Sequence, residues 1–285
     1  MEMVFVVAQI SDSHLSDSKP FFVENFRVLT AHLAKAKPDL VVNTGDVSLN
    51  GADLVSDLRH AHELHEKLGV AWRAIPGNHD IGDNVEISKK QPFNVERRSR
   101  WTAVFGADWW VQDAPGWRLL GINSQLLGSG IAADEEQLSF IREAVGTIGD
   151  RALLLFIHKP VCVDHLGEET VSGHNVNPAP RALLLEALGD VEPTIIACGH
   201  VHQYREHYVE ETLHVWAPAT SFFLSRPYQA DEGIRTIGFI EYHLHEDGSF
   251  ETAFTCVGKM VLNDLVDFPE AYGDLATLMK PGADH

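Results

Sequence analysis

The sequence predicts an α/β fold whose C-terminal part is rich in strands. Two patterns carry that reading. Apolar, β-branched runs alternate with amphipathic stretches as far as Cys198, and from Thr212 onward strand-like runs follow one another. The composition allows it: 45% of the 285 residues are hydrophobic, enough for a sizeable core in one long α/β domain.

Taken in order, Val4–Ile10 reads as a strand and Phe21–Lys35 as a helix. Pro38 closes that helix, because its ring disfavours a helical residue before it. Leu40–Asn43 is a strand, Ala52–Leu68 a helix and Ala71–Ile75 a strand. Gly69 occupies the place of a left-handed residue after a helix. Helix Glu96–Phe105 follows, then strand Leu119–Ile122, helix Glu135–Val145 and strand Ala152–Ile157. Helix Arg181–Leu188 and strand Thr194–Cys198 complete the alternating part. Leu213–Trp216, Thr236–His243 and Phe250–Val257 are the later strands. The stretch Asp164–Pro180 is long enough for a functional loop. Residues 1–260 form the predicted domain, and 261–285 a C-terminal extension, packed on the core or partly mobile.

The formal net charge of −19, from 41 acidic against 22 basic residues, repels polyanions. This argues against long DNA or RNA as the main partner, since phosphate contacts normally supply most of that affinity. Bound cations would reverse the sign locally, so a small anionic substrate fits. Cys162, Cys198 and Cys256 match no zinc or redox spacing and cannot all pair, which points to reduced thiols and a cytoplasmic location. The apolar run Met3–Ala8 has no basic flank or cleavage site, and no run reaches ~20 apolar residues, so neither a signal peptide nor a membrane span is expected. A homo-oligomer is left open.

Five short motifs carry the chemistry: Asp12-Ser13-His14, Gly45-Asp46, Gly77-Asn78-His79-Asp80, His158 and Gly199-His200-Val201-His202. Singly, most are ordinary: an Asp can cap a turn, Gly-Asp is commonly a turn, and a strand-end histidine commonly has a backbone partner. Together they supply seven oxygen and nitrogen ligands and no thiolate, enough for two divalent ions sharing one carboxylate. Asp12/His14 and His200/His202 have i, i+2 spacing, which places two side chains on one side of extended backbone. Asp46 has two oxygens with which to bridge, and Asn78 offers a neutral oxygen. His79 is suited to act on a leaving group, with Asp80 to fix its tautomer. In α/β sheets, ligands gather at the carboxyl ends of strands, where these motifs fall.

With those residues in place, the chain resembles the calcineurin-like metallophosphoesterase superfamily, nearest to its class III cyclic-nucleotide phosphodiesterases and bacterial glycerophosphodiesterases. The matching pieces are Ile10–Leu15, Thr44–Gly51, Ile75–Asp80, Ile157–Pro160 and Cys198–His202, with a weaker match in Leu119–Ile141. The resemblance implies a two-sheet β-sandwich flanked by helices. It implies that Asp12, His14, Asp46 and His202 hold one metal and that Asp46, Asn78, His158 and His200 hold the other. His79 would be the catalytic histidine, with Asp80 as its partner. The expected reaction is hydrolysis of a small phosphodiester by in-line attack of a metal-bridging hydroxide, with iron, manganese or zinc as the ions. A phosphomonoesterase and a non-catalytic binding module on the same fold are the alternatives.

Three departures lie beside the motifs: Lys159 where the branch often has histidine, Asn123 where it usually has aspartate, and Ala217-Pro218-Ala219-Thr220 in place of a Pro-Ser segment. Other signals read as ordinary surface. His62 and His65 belong on the polar face of a helix, Arg97–Arg100 on a solvated one, and His243 and His245 on an exposed strand face. Gly128-Ser129-Gly130 lacks the spacing of a dinucleotide fingerprint.

Overall fold

The computed structural model describes residues 4–84 and 86–273. Its elements run in the order β1 (Val4–Ile10), α1 (Val23–Ala36), β2 (Leu40–Asn43), α2 (Val55–His65), β3 (Trp72–Ala74), α3 (Asn78–Ile81) and α4 (Val95–Phe105). There follow β4 (Trp110–Ala114), β5 (Trp117–Gly121), α5 (Ala132–Gly146), β6 (Ala152–Phe156), α6 (Pro178–Leu188) and β7 (Ile195–Cys198). The strand-rich end holds β8 (Arg205–Val209), β9 (Thr212–Trp216), β10 (Phe222–Phe223), β11 (Phe239–His245), β12 (Phe250–Thr255), β13 (Asn263–Asp264) and the short helix α7 (Pro269–Tyr272).

Two large sheets result. One has the order β12-β11-β1-β2-β3 and the other β4-β5-β6-β7-β9-β8. Their centres are parallel, β1-β2-β3 and β5-β6-β7-β9, and the antiparallel strands lie toward the edges. Side chains alternate along each strand, which places them in different cores. On β2, Leu40 and Val42 face the second sheet while Val41 faces α1 and α2. On β6, Leu154 and Phe156 face the first sheet while Leu153 and Leu155 meet α5 and α6. Both faces of these strands are covered, so they read as continuous apolar runs rather than alternating ones. The architecture is the helix-flanked, two-sheet sandwich.

Several short elements lie outside the predicted pattern. β4 and β8 are edge strands carrying polar residues, and α3 folds Asn78–Ile81, to which the sequence pattern assigns no element, into a helical turn. The expectation for His65 fails. It is fully buried on the inner face of α2, donating from Nδ1 to Ala61 O (2.7 Å) and accepting the Asn43 side-chain amide at Nε2 (2.9 Å). His243 and His245 are half-buried, not exposed. Residues 261–273 lie on the core: Asn25 exchanges hydrogen bonds with the Val261 backbone (2.8 and 2.9 Å), and Leu265 and Ala271 pack with Phe22, Leu49 and Phe222. Residues 274–285 lie outside the described part. No described helix is long and apolar enough to cross a membrane.

Candidate metal centre

The five motifs meet in one place because β1, β2, β3, β6 and β7 end there. The loops after β1 and β2 are joined through backbone bonds, Asp12 N to Gly45 O (2.9 Å), His14 N to Asp46 O (3.0 Å) and Leu15 N to Val47 O (3.0 Å). The segment after β9 braces them: Thr220 N and Ser221 Oγ donate to Ser11 O (3.0 Å) and Asp12 O (2.6 Å).

The side chains do not converge through extended backbone. Asp12, His14, Asp46, His200 and His202 all have positive φ, between 45° and 70°. For a residue with a Cβ this conformation costs of order 1–3 kcal/mol and persists only where surrounding contacts enforce it. It turns each i, i+2 pair inward at a sharp kink, which replaces the extended geometry expected from spacing alone. The glycines have a related task. A Cβ on Gly45 would lie 2.5 Å from His158 Nδ1, and one on Gly199 would lie 2.5 Å from Asp12 Oδ2.

Three groups of potential ligand atoms form, each with its atoms within 4.8 Å of one another: Asp12, His14 and His202; His14, Asp46 and His79; and Asp46, His158 and His200. In the first, His202 Nε2 lies 3.2 Å from His14 Nε2 and 3.4 Å from Asp12 Oδ1. In the last, His158 Nε2 lies 3.2 Å from Asn78 Oδ1, 3.2 Å from His200 Nδ1 and 3.3 Å from Asp46 Oδ2. Atoms that each sit about 2.0–2.2 Å from a shared ion are separated by roughly 3 Å, as these are. The outward nitrogens are occupied. His158 Nδ1, His202 Nδ1 and His200 Nε2 donate to the carbonyls of Thr44, Phe222 and Gly173, each at 2.8 Å. A carbonyl only accepts, so each ring carries its hydrogen outward and can turn a lone pair toward the centre. Asp12 Oδ2 accepts from His200 N (2.9 Å), whereas the buried Oδ1 has no hydrogen-bond partner. That orphaned oxygen, facing an imidazole nitrogen, fits a cation.

Charge in this largely buried site is finely opposed. Burial disfavours a proton on His158, but Asp46, then Asp12, raise it to about 9. Burial likewise opposes charge on Asp46, yet His158 beside it holds the carboxyl well below the usual range. Burial and the neighbouring His79 lower His14. A divalent cation held by these side chains would take over the compensation that protons otherwise provide.

Asp80 is not the partner of His79. Its carboxylate accepts from Ser48 Oγ (2.5 Å), Ser48 N (2.9 Å), Gly77 N (2.9 Å) and Val47 N (3.2 Å), and so holds the Gly77–Asp80 turn against the Asp46 loop. Burial, then Asp46, raises it to about 7. His79 is half-buried and gives its backbone N–H to Asp46 Oδ1 (2.8 Å). Its ring packs 4.9 Å from those of His14 and Tyr272.

A cleft of about 710 Å³ opens over the centre, and its lining includes Asp83, Glu86, Gly173, Phe222 and Tyr272. None of these five belongs to a motif; Gly173 lies in the Asp164–Pro180 loop that its length marked, and no local pattern in the sequence marks the other four. Lys159, the cation that the motifs suggest, is buried and donates to both oxygens of Asp83 at 2.8 Å. Asn123 instead binds Asp108 Oδ2 (2.9 Å) and Gln137 (2.8 Å), away from the ligand groups.

Comparison with known proteins agrees with this geometry. Residues 5–204 match the family model "Calcineurin-like phosphoesterase". The chain is 29% identical over 208 residues to "Probable glycerophosphodiester phosphodiesterase GpdQ" of Arcobacter nitrofigilis, covering 70% of this chain and 72% of that protein. It is 27% identical over 285 residues to the "3',5'-cyclic adenosine monophosphate phosphodiesterase CpdA" of Pseudomonas aeruginosa, covering 93% and 94%. Among solved structures, purple acid phosphatase PPD1 of yellow lupin superposes with a TM-score of 0.64 at 16% identity, over 93% of this chain and 53% of that one, which shows the shared fold. The match spans most of the sandwich and every motif of the centre, and the chain belongs to the calcineurin-like phosphoesterases, as a metal-dependent phosphoric ester hydrolase.

Proposed function

We propose that this chain is a dinuclear metal-dependent phosphodiesterase acting on a small phosphodiester of cyclic-nucleotide or glycerophosphodiester type. The observation that carries the reading is Asp46, which belongs to two of the three ligand groups. Asp12, His14, Asp46 and His202 would hold one ion, and Asp46, Asn78, His158 and His200 the other. The donor set of carboxylate, imidazole and amide oxygen suits iron, manganese or zinc. Such ions supply Lewis acidity and lower the pKa of bound water.

The chain's own residues supply the rest. The carbonyls of Thr44, Gly173 and Phe222 fix the imidazoles before substrate arrives. His79 lines the cleft and stands outside both proposed four-residue sets, and in this reading it gives a proton to the departing alkoxide. The cleft wall supports a diester over a monoester. Among the described residues its lining has no Lys or Arg; Lys159 and Asp83 neutralise one another, which leaves the Glu86 carboxylate. A monoester dianion meets more repulsion there than a diester monoanion. The names of both relatives, a glycerophosphodiester and a cyclic-nucleotide phosphodiesterase, support the same class.

The test is a comparison of kcat/KM for bis(p-nitrophenyl) phosphate and p-nitrophenyl phosphate after reconstitution with manganese, zinc or iron. A clear preference for the diester is expected, followed by turnover of a cyclic nucleotide or glycerophosphodiester. A preference for the monoester in every metal form would overturn the reading.

A further inference from the structure

Three candidate histidine ligands give their outward nitrogen to a backbone carbonyl, which no side-chain substitution removes. His14 differs. Its Nδ1 lies 2.5 Å from the hydroxyl of Tyr272, a side chain 258 positions away in sequence. Tyr272 ends α7, beyond the residues 5–204 that match the family model. The segment before it is firmly seated: Lys19 Nζ donates to Ala271 O (2.9 Å), and Phe268 and Ala271 pack with Phe22 and Phe222. The Tyr272 ring lies 4.9 Å from the His79 ring and forms part of the cleft wall.

We propose that Tyr272 is a positioning residue that completes the centre from the C-terminal end of the chain. Its hydroxyl oxygen accepts the Nδ1 hydrogen of His14. That contact holds the tautomer whose Nε2 faces Asp12 and His202, ready for a cation. Its ring closes the cleft beside His79, where the leaving alcohol of a substrate would lie. The inference rests on the metal reading above, but its central readout is metal affinity and not turnover.

The full chain is stripped of metal, and its affinity for Mn²⁺ and Zn²⁺ is measured by chelator competition beside Tyr272→Phe and Tyr272→Leu. Tyr272→Phe keeps the ring and its packing, so the thermal midpoint of the metal-free protein should fall by no more than the few degrees that one lost buried hydrogen bond accounts for. Loss of a hydrogen-bonding partner behind a metal ligand typically costs about 10–100-fold in affinity, and that loss is expected for one of two ions. Tyr272→Leu should show the same weakening and, at saturating metal, a raised KM for bis(p-nitrophenyl) phosphate. Wild-type affinity in Tyr272→Phe would overturn the role of the hydroxyl. A wild-type KM in Tyr272→Leu would overturn the role of the ring. Wild-type protein that binds metal but hydrolyses no diester would sink the phosphodiesterase reading alone, while the affinity comparison still decides the case of Tyr272.

Discussion

Gly77 and Asp46 interlock: a methyl group on Gly77 would overlap Asp46 Oδ1 and lie 2.5 Å from the Asp46 backbone nitrogen. The glycine is thus the space into which the Asp46 carboxylate turns. Overpacking of this kind costs about 1–3 kcal/mol, and displacing a reacting group by an ångström can cost about 100-fold in rate. Gly77→Ala is expected to fold with reduced stability, bind less metal and lose at least that factor in kcat/KM. Elemental analysis and kinetics on the same preparation check it; normal values for both would show that the turn can move aside.

Asp46 belongs to two ligand groups, Asp12 to one. Asp46→Ala should therefore lower the affinity for both ions and abolish hydrolysis, whereas Asp12→Ala should weaken one ion more than the other. Metal stoichiometry by titration distinguishes them. Two ions retained in Asp46→Ala would contradict a bridging role.

His79 lies close enough to His14 and Asp46 to serve as a ligand, and also lines the cleft. As a proton donor it should contribute about 10²–10⁴-fold for a poor leaving group. His79→Ala should keep its metals, lose that factor with an alkyl ester and lose less with p-nitrophenolate, which departs without a proton. Equal losses for both leaving groups would point to phosphoryl binding, and loss of metal would make His79 a ligand.

The buried Lys159–Asp83 pair makes a sharper prediction about stability. Removing one partner of a buried ion pair strands the other and costs about 3–5 kcal/mol, while replacing both is often close to neutral. Lys159→Met should be strongly destabilised in urea unfolding, and Lys159→Met with Asp83→Asn largely restored. Additive losses in the double variant would mean that the two charges do not act as a unit.

Burial lowers His65 from 6.5 to about 4, so it is neutral in the folded protein at neutral pH. The unfolded chain binds this proton first, so between about pH 6.5 and 4 the unfolded state gains protons that the native state refuses. Stability is full above that window and falls as pH drops through it, by about 3 kcal/mol in all for this one group. Urea midpoints of metal-free protein across that range should fall with pH, and less steeply in His65→Gln. An unchanged slope would mean that other groups account for the acid sensitivity.

Much of this protein was legible from its residues. Apolar runs marked the central strands because sheets covered on both faces need them, and Gly-Asp, Gly-Asn-His-Asp and Gly-His-Val-His stood at strand ends because the chain turns there with no room for a Cβ on the glycine. Residue type and order thus determined the fold class and which candidate ligands the strand ends carry. Other features depended on contacts between distant segments, which leave no local periodicity. The left-handed kinks at Asp12 and His200 arise from loops joined across strands. Asp80 turned to the backbone of Val47 and Ser48 and not to the adjacent His79, because those buried N–H groups need an acceptor. His65 was drawn inside because Asn43 and Ala61 together satisfy its ring. Lys159 found Asp83, and Tyr272 reached His14, only when the chain closed on itself. A motif records which groups the chemistry requires, but a buried polar group takes whichever partner the fold brings within reach, and only tertiary structure decides which one that is.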